Sequence, residues 1–201
     1  MSEEMDTDLW NESRLVSLLK KREEEAFRVL MQRYEKKVYG IAYGITLDRE
    51  ESLDIVQEVF VKVYERIHTF RGESKLSTWL HRITVNLCLN WKRRWKRRFR
   101  WQHEPIEPGK ISQEADAERK GWRPDVLYEK KELEQIFWQS LRKIPETARA
   151  VFVLKEVEGL SYDEIAEMLN IRKGTVSSRL FYARRKLKES IRAHERGKGD
   201  S

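Results

Sequence analysis

Residues 70–100 read FRGESKLSTWLHRITVNLCLNWKRRWKRRFR, and the reading of this stretch decides the fold. Phe70–Lys75 is a short polar loop with one glycine. Ser77 is predicted to cap a helix from Thr78 to about Arg98, because its hydroxyl can accept a bond from the open N–H groups of a first turn. Trp79, Ile83, Leu87 and Trp91 recur every four residues and define a face that packs on a core. Arg82, Asn86, Asn90 and Arg93 fall on the other side. From Lys92 to Arg100, seven of nine residues are Lys or Arg, and the two exceptions are Trp95 and Phe99. Cations neutralise phosphates and aromatic rings stack on exposed bases, so the stretch suits nucleic acid. The plainer alternative is a solvated amphipathic helix followed by a charged linker.

Working outward, the totals favour the first reading. The chain has 201 residues and a formal charge of +7, concentrated around residues 92–100 and 172–188, which favours a polyanionic partner. Its 39% hydrophobic content beside 37% charged residues supports small cores only. One cysteine, Cys88, excludes an intrachain disulfide and a multi-cysteine zinc site, and its mid-helix place predicts a core residue. Four scattered histidines give no ligand spacing, so no metal or cofactor is expected. No long apolar run and no signal-peptide pattern occur, so a cytoplasmic protein without membrane insertion is expected.

Upstream, residues 1–12 form an acidic tail with five carboxylates and no cation. Leu15, Val16, Leu18 and Leu19 predict a short helix, closed by the charged run Lys20–Glu25. Phe27, Leu30, Tyr34, Val38, Ile41 and Ile45 step by three and four through a longer one. Asp48 with Glu51 fits a capping box opening a third helix, about Arg49–Ile67, whose apolar face is Leu53, Val56, Phe60, Val63 and Ile67. Asp54, Gln57, Glu58 and Lys62 make its polar face, either ordinary surface or a docking face for a partner helix. These elements predict an all-α domain over 13–98.

Downstream, periodicity is lost over 101–127, where Pro105, Pro108, Pro124, Gly109 and Gly121 cluster, so 99–126 is predicted as a flexible linker. A second helical domain is expected over 127–192, followed by a polar tail, 193–201. Leu127, Leu133, Ile136, Phe137 and Leu141 suggest its first helix, and Pro145–Val157 its second. Ser161 and Glu164 form a capping box for Tyr162–Leu169. A tight turn, Asn170–Gly174, leads to Thr175 as the predicted N-cap of a last helix to about Arg192. Two helices so joined fit a helix-turn-helix, whose second helix enters a major groove. Its outward face carries Ser177, Ser178, Phe181, Tyr182 and Arg185.

Three segments now carry a family pattern: AFRVLMQRYEKKVYGIAY at 26–43, LDIVQEVFVKVYERIHTFRGESKLSTWLHRITVN at 53–86, and IPETARAVFVLKEVEGLSYDEIAEMLNIRKGTVSSRLFYARRKLK at 144–188. In this order they resemble a bacterial RNA polymerase sigma factor of the extracytoplasmic-function (ECF) type. The resemblance implies that the face with Asp54, Gln57 and Glu58 docks on the clamp helices of core RNA polymerase. It implies that the loop and helix bearing Phe70, Arg71, Ser74, Lys75, Arg82 and Asn86 bind the −10 promoter element as a separated strand, with Asn86 lining a pocket for a flipped base. The helix-turn-helix is then implied to read the −35 element as duplex DNA. There Ser177, Ser178, Phe181 and Tyr182 face bases, while Lys155, Lys173, Thr175, Arg179 and Arg185 are better placed for phosphates. Family analogy adds an anti-sigma factor as partner.

The chain departs from many relatives in having Ser177 and Tyr182 where they carry arginines, and in a more basic, tryptophan-rich segment 91–101. No catalytic residue and no small-molecule substrate are expected. Three rival readings are a free-standing helix-turn-helix regulator, an enzyme and an RNA-binding adaptor. The regulator leaves the docking face and the 70–100 element unexplained. No catalytic constellation supports the enzyme, and the adaptor predicts equal affinity for RNA and DNA.

Overall fold

A computed structural model describes residues 10–99 and 136–199. The acidic tail before Trp10, Arg100 with the 101–127 segment, and the predicted helix start at Leu127 and Leu133 lie outside the described residues, as do the side chains of Lys92–Phe99.

The described residues are helical with no strand among them. In chain order they form α1 (Glu12–Lys20), α2 (Glu24–Thr46), α3 (Arg49–Arg66) with a tighter turn at Ile67–Thr69, and α4 (Leu76–Phe99). From residue 136 onward come α5 (136–142), α6 (Glu146–Phe152), a widened turn at Val153–Val157, α7 (Tyr162–Leu169) and α8 (Lys173–Gly199).

Local chemistry sets the boundaries. Asn11 accepts the Arg14 N–H at 2.9 Å to open α1, and Asp48 accepts the Glu51 N–H at 2.9 Å to open α3. The predicted box of α7 is complete: Ser161 Oγ accepts the Glu164 N–H, and Glu164 Oε2 accepts the Ser161 N–H at 2.7 Å. Two predicted caps are corrected. Helix α4 starts one residue before Ser77, because buried Leu76 needs the first turn to reach the core. The Leu76 N–H donates to Glu12 Oε1 of α1 at 2.9 Å, a cap supplied from 64 residues away. Helix α8 starts before Thr175, with the Arg172 carbonyl accepting the Thr175 and Val176 N–H groups.

Helix α2 is the central post. Its buried Leu30, Val38, Ile41, Ala42 and Ile45 meet Ile55, Val59 and Val63 of α3, and Leu80, Val85 and Cys88 of α4. Burial pushes the Cys88 thiol well above its usual range, so it stays a protonated packing residue. In α4 the fully buried line is Leu76, Leu80, Thr84 and Val85, whereas Trp79, Ile83 and Trp91 of the predicted stripe are half-buried along its flank.

The same core continues into the C-terminal half. Ala150, Val151, Val153 and Leu154, with Ile165, Met168, Val176 and Leu180, join the α2–α4 cluster. The approach is close: a Cβ added at Gly44 would sit 2.8 Å from Val153 Cγ2, so glycine is what lets α2 and the widened turn touch. Buried Arg149 fastens this seam. Its Nε donates to the Ile45 carbonyl in the last turn of α2 at 2.8 Å, and its Nη1 to the Leu141 and Ile144 carbonyls at 3.3 and 3.2 Å. All three acceptors lie at or just past helix ends, where carbonyls lack the usual N–H four residues on and carry partial negative charge.

Replacing Arg149 with Met would take this donor from the Ile45 and Ile144 carbonyls, while Leu141 would keep the Ile144 N–H at 3.0 Å. The expected loss is about 2 kcal/mol or more, at roughly 1–3 kcal/mol per unsatisfied group, read as a lower urea midpoint.

Candidate nucleic-acid interface

The residues singled out from sequence fall on three faces. On α3, Asp54 and Gln57 are exposed, and Glu58 is half-buried 3.5 Å from Lys62. Beside them lie Leu53, Val61 and Tyr64, each large, apolar or aromatic, and 44–55% exposed. Sequence reasoning placed Leu53 in the core and passed over Val61 and Tyr64. The structure turns all three outward, so the face is an apolar strip edged by carboxylates rather than a purely polar surface.

The second face is the loop 70–75 and the start of α4. Gly72 has φ +78°, which bends the loop around its apex. Arg71, Ser74 and Lys75 are exposed there, and Asn86 is exposed further along α4. Arg82 lies on the same side of the helix and reaches Glu167 of α7 at 2.7 Å. Phe70 differs from the others in that its side chain is buried, the ring 5.4 Å from that of Trp79, so it anchors the loop.

The third face is α8. Asn170, at φ +51°, ends α7 in the left-handed conformation, and the Ile171 N–H returns to the Ala166 carbonyl at 3.0 Å. The helix is thereby closed without a glycine. Val176, Leu180, Ala183 and Leu187 face inward. Ser177, Ser178, Phe181 and Arg185 are exposed, and Arg179 and Thr175 are half-buried. Phe181 is 67% exposed, a large ring with no core to serve. Lys173 pairs with Asp163 at 2.9 Å, but both are well exposed, so the pair is weak and leaves the cation within reach of a phosphate.

Two members of the predicted −35 set also make contacts within the fold. Lys155 Nζ donates to the Leu160 carbonyl at 3.1 Å and lies over the Tyr162 ring, which staples the turn before α7. Tyr182 is half-buried against the small cluster of Leu141, Ile144 and Leu187, on the α5 side of α8. Periodicity alone could not separate it from Phe181, its neighbour in the chain.

Sequence reasoning also missed His81, which is buried on α4. Its Nε2 lies 3.3 Å from Glu158 Oε2, and Lys37 Nζ lies 3.4 Å from the same oxygen. Burial, with the Lys37 charge adding to it, lowers the imidazole to about 4. The Glu158 carboxylate pulls the other way, but Lys37 already answers its charge. His81 is therefore neutral at pH 7.

A helix-turn-helix joined to a helical bundle with an outward cationic face is a geometry suited to DNA. Comparison with known proteins makes the class specific. The family model for sigma-70 region 2 matches residues 30–98, and that for sigma-70 region 4 matches residues 134–187. The ECF RNA polymerase sigma-E factor of Haemophilus influenzae is 34% identical over 183 residues, 88% of this chain and 93% of that protein. The RNA polymerase sigma-H factor of Pseudomonas aeruginosa is 31% identical over 180 residues, 90% and 93% of the two chains. In fold, the chain is similar to the sigma factor RpoE solved with the anti-sigma factor NepR from Bartonella quintana. That match has a TM-score of 0.65 at 22% identity and covers 83% of this chain and 96% of that one. The chain belongs to the sigma-70 family of RNA polymerase sigma factors, in its ECF branch.

Because the folded-state pKa of His81 is depressed, the unfolded chain takes up its proton first as the pH falls through 6.5. Stability contributed by neutral His81 is complete above that point and declines toward pH 4. Roughly 2 kcal/mol should be lost by pH 5 at 1.36 kcal/mol per unit. Between pH 7 and pH 5 the urea midpoint should therefore fall further in the wild type than in His81→Gln.

Proposed function

We propose that the chain is an alternative sigma subunit that binds core RNA polymerase and directs it to promoters with two separated elements. The observation that carries this is the presence, on one chain, of two separate polar surfaces, one around Arg82 and Asn86 and one on α8 around exposed Phe181, which we read as facing a separated strand and a duplex respectively.

Opening a promoter costs roughly a few kcal/mol per flipped base, which a polar pocket and cations reachable only by the separated strand can offset. Arg71, Ser74, Lys75, Arg82 and Asn86 are suited to that work. Phe70 and Trp79 hold the loop in place beneath them. The strip of Leu53, Val61 and Tyr64, with Asp54, Gln57 and Glu58 at its edge, is suited to a helical hairpin of the polymerase. On α8, Ser177, Ser178 and Phe181 face the base edges, with Phe181 matched to a thymine methyl. Lys173, Arg179 and Arg185 orient the helix through phosphates. The polymerase performs the chemistry, so the chain is read as a non-enzyme that acts in the cytoplasm. An anti-sigma factor is proposed as a further partner, in keeping with the relatives solved beside one.

The test is transcription in vitro with core polymerase on a pool of random promoter DNA. Chain-dependent transcripts from templates sharing two spaced elements support the reading. If the chain neither binds core nor adds specific starts, a free-standing helix-turn-helix regulator takes its place.

Two variants sharpen this. Asn86→Ala should lower promoter opening about tenfold, the equivalent of one lost base contact, with core binding unchanged. Phe181→Ala should weaken binding to the −35 duplex by a similar factor of about ten, with the melting temperature of the chain unchanged because the ring serves no core.

A further inference from the structure

Apart from buried Arg149, the side-chain charge pairs across the seam between the two halves are one-sided among the described residues. The helix-turn-helix half brings carboxylates: Glu158 faces Lys37 and His81, and Glu167 faces Arg82. Glu164 also lies on that side. The Ser161 backbone N–H and hydroxyl, and more weakly Lys75 from across the seam, hold its carboxyl below the ordinary range. The N-terminal half brings the cations, and two of them, Lys75 and Arg82, belong to the surface read above as facing the separated strand.

An exposed ion pair contributes about 0–1 kcal/mol, so Arg82–Glu167 does not hold the halves together. Gly44 against Val153, and Arg149 on the Ile45 carbonyl, do that. What the Arg82 pair does is occupy a cation.

We propose that in the chain alone α7 stands in for nucleic acid, its Glu167 carboxylate covering Arg82, so that closure of the two halves competes with binding of a single DNA strand. The proposal rests on the reading of Arg82 as a strand-facing residue. Strand affinity is then reduced by the fraction of molecules that are open.

The test uses the full chain, small-angle scattering for closure, and a fluorescein-labelled single-stranded DNA of random sequence for affinity. Gly44→Leu drives a wedge at the seam, since the three nearest atoms to a new Cβ all belong to Val153. It should enlarge the radius of gyration and tighten strand binding at least about fivefold. Adding Arg82→Gln should abolish that gain. Glu167→Gln, which leaves the apolar seam intact, should tighten binding about twofold with no change in radius. Should Gly44→Leu fail to fold, Val153→Asp supplies the wedge from the other side.

A larger radius with unchanged strand affinity would overturn the proposal, as would a gain that survives Arg82→Gln. A wild-type chain already as extended as the wedge variants would overturn it too. Binding to core polymerase, measured in parallel, separates the two readings. If the wedge variants open and bind strand while the wild-type chain does not bind polymerase, the competition stands and the proposed role with polymerase falls.

Discussion

The guanidinium of Arg149 is the constraint on which the arrangement of the halves depends. A buried cation must be surrounded by acceptors, and here they are carbonyls at helix ends contributed by both halves. Burial lowers its pKa, while Glu146, 3.9 Å away, opposes that. The group therefore fixes where α2 ends relative to α5 and α6. Once that distance is set, Val153 meets Gly44, Glu158 arrives between Lys37 and His81, and α7 lies against α4.

Much of the fold was legible in the sequence because its signals are local. Apolar spacings of three and four marked α1 to α4, and Asp48 and Ser161 marked two helix starts by a chemistry that needs only three neighbours. Ser77 and Thr175 misled because a hydroxyl near a helix start looks like a cap wherever the first turn begins. At α4 the burial of Leu76 and a carboxylate from α1 decided the matter, and both are long-range facts.

The site was legible to the extent that its faces are. Asn86, Arg71, Ser177 and Phe181 are exposed where the sequence pattern put them. The internal contacts of Lys155 and Tyr182 could not be foreseen, since a lysine stapling a carbonyl and a tyrosine flanking a small core are the same residue types as their exposed neighbours. His81 and Gly44 carried no signal at all: each acquires its meaning only from a residue more than seventy positions away.

The widened turn at Val153–Val157 has a consequence for how the chain tolerates change. It carries one more residue than a regular helical turn, with the Glu158 N–H bonded back to the Val153 carbonyl at 3.1 Å. That surplus sets the rotational phase of everything after it. It lets Val153 and Leu154 point at the N-terminal half while Glu156 points out to Arg184. Loss of a single residue here would turn the following segment by about 100° about the helix axis, one residue's share of a 3.6-residue turn. Substitutions in this stretch change one contact each, whereas a deletion would re-aim the whole DNA-reading unit.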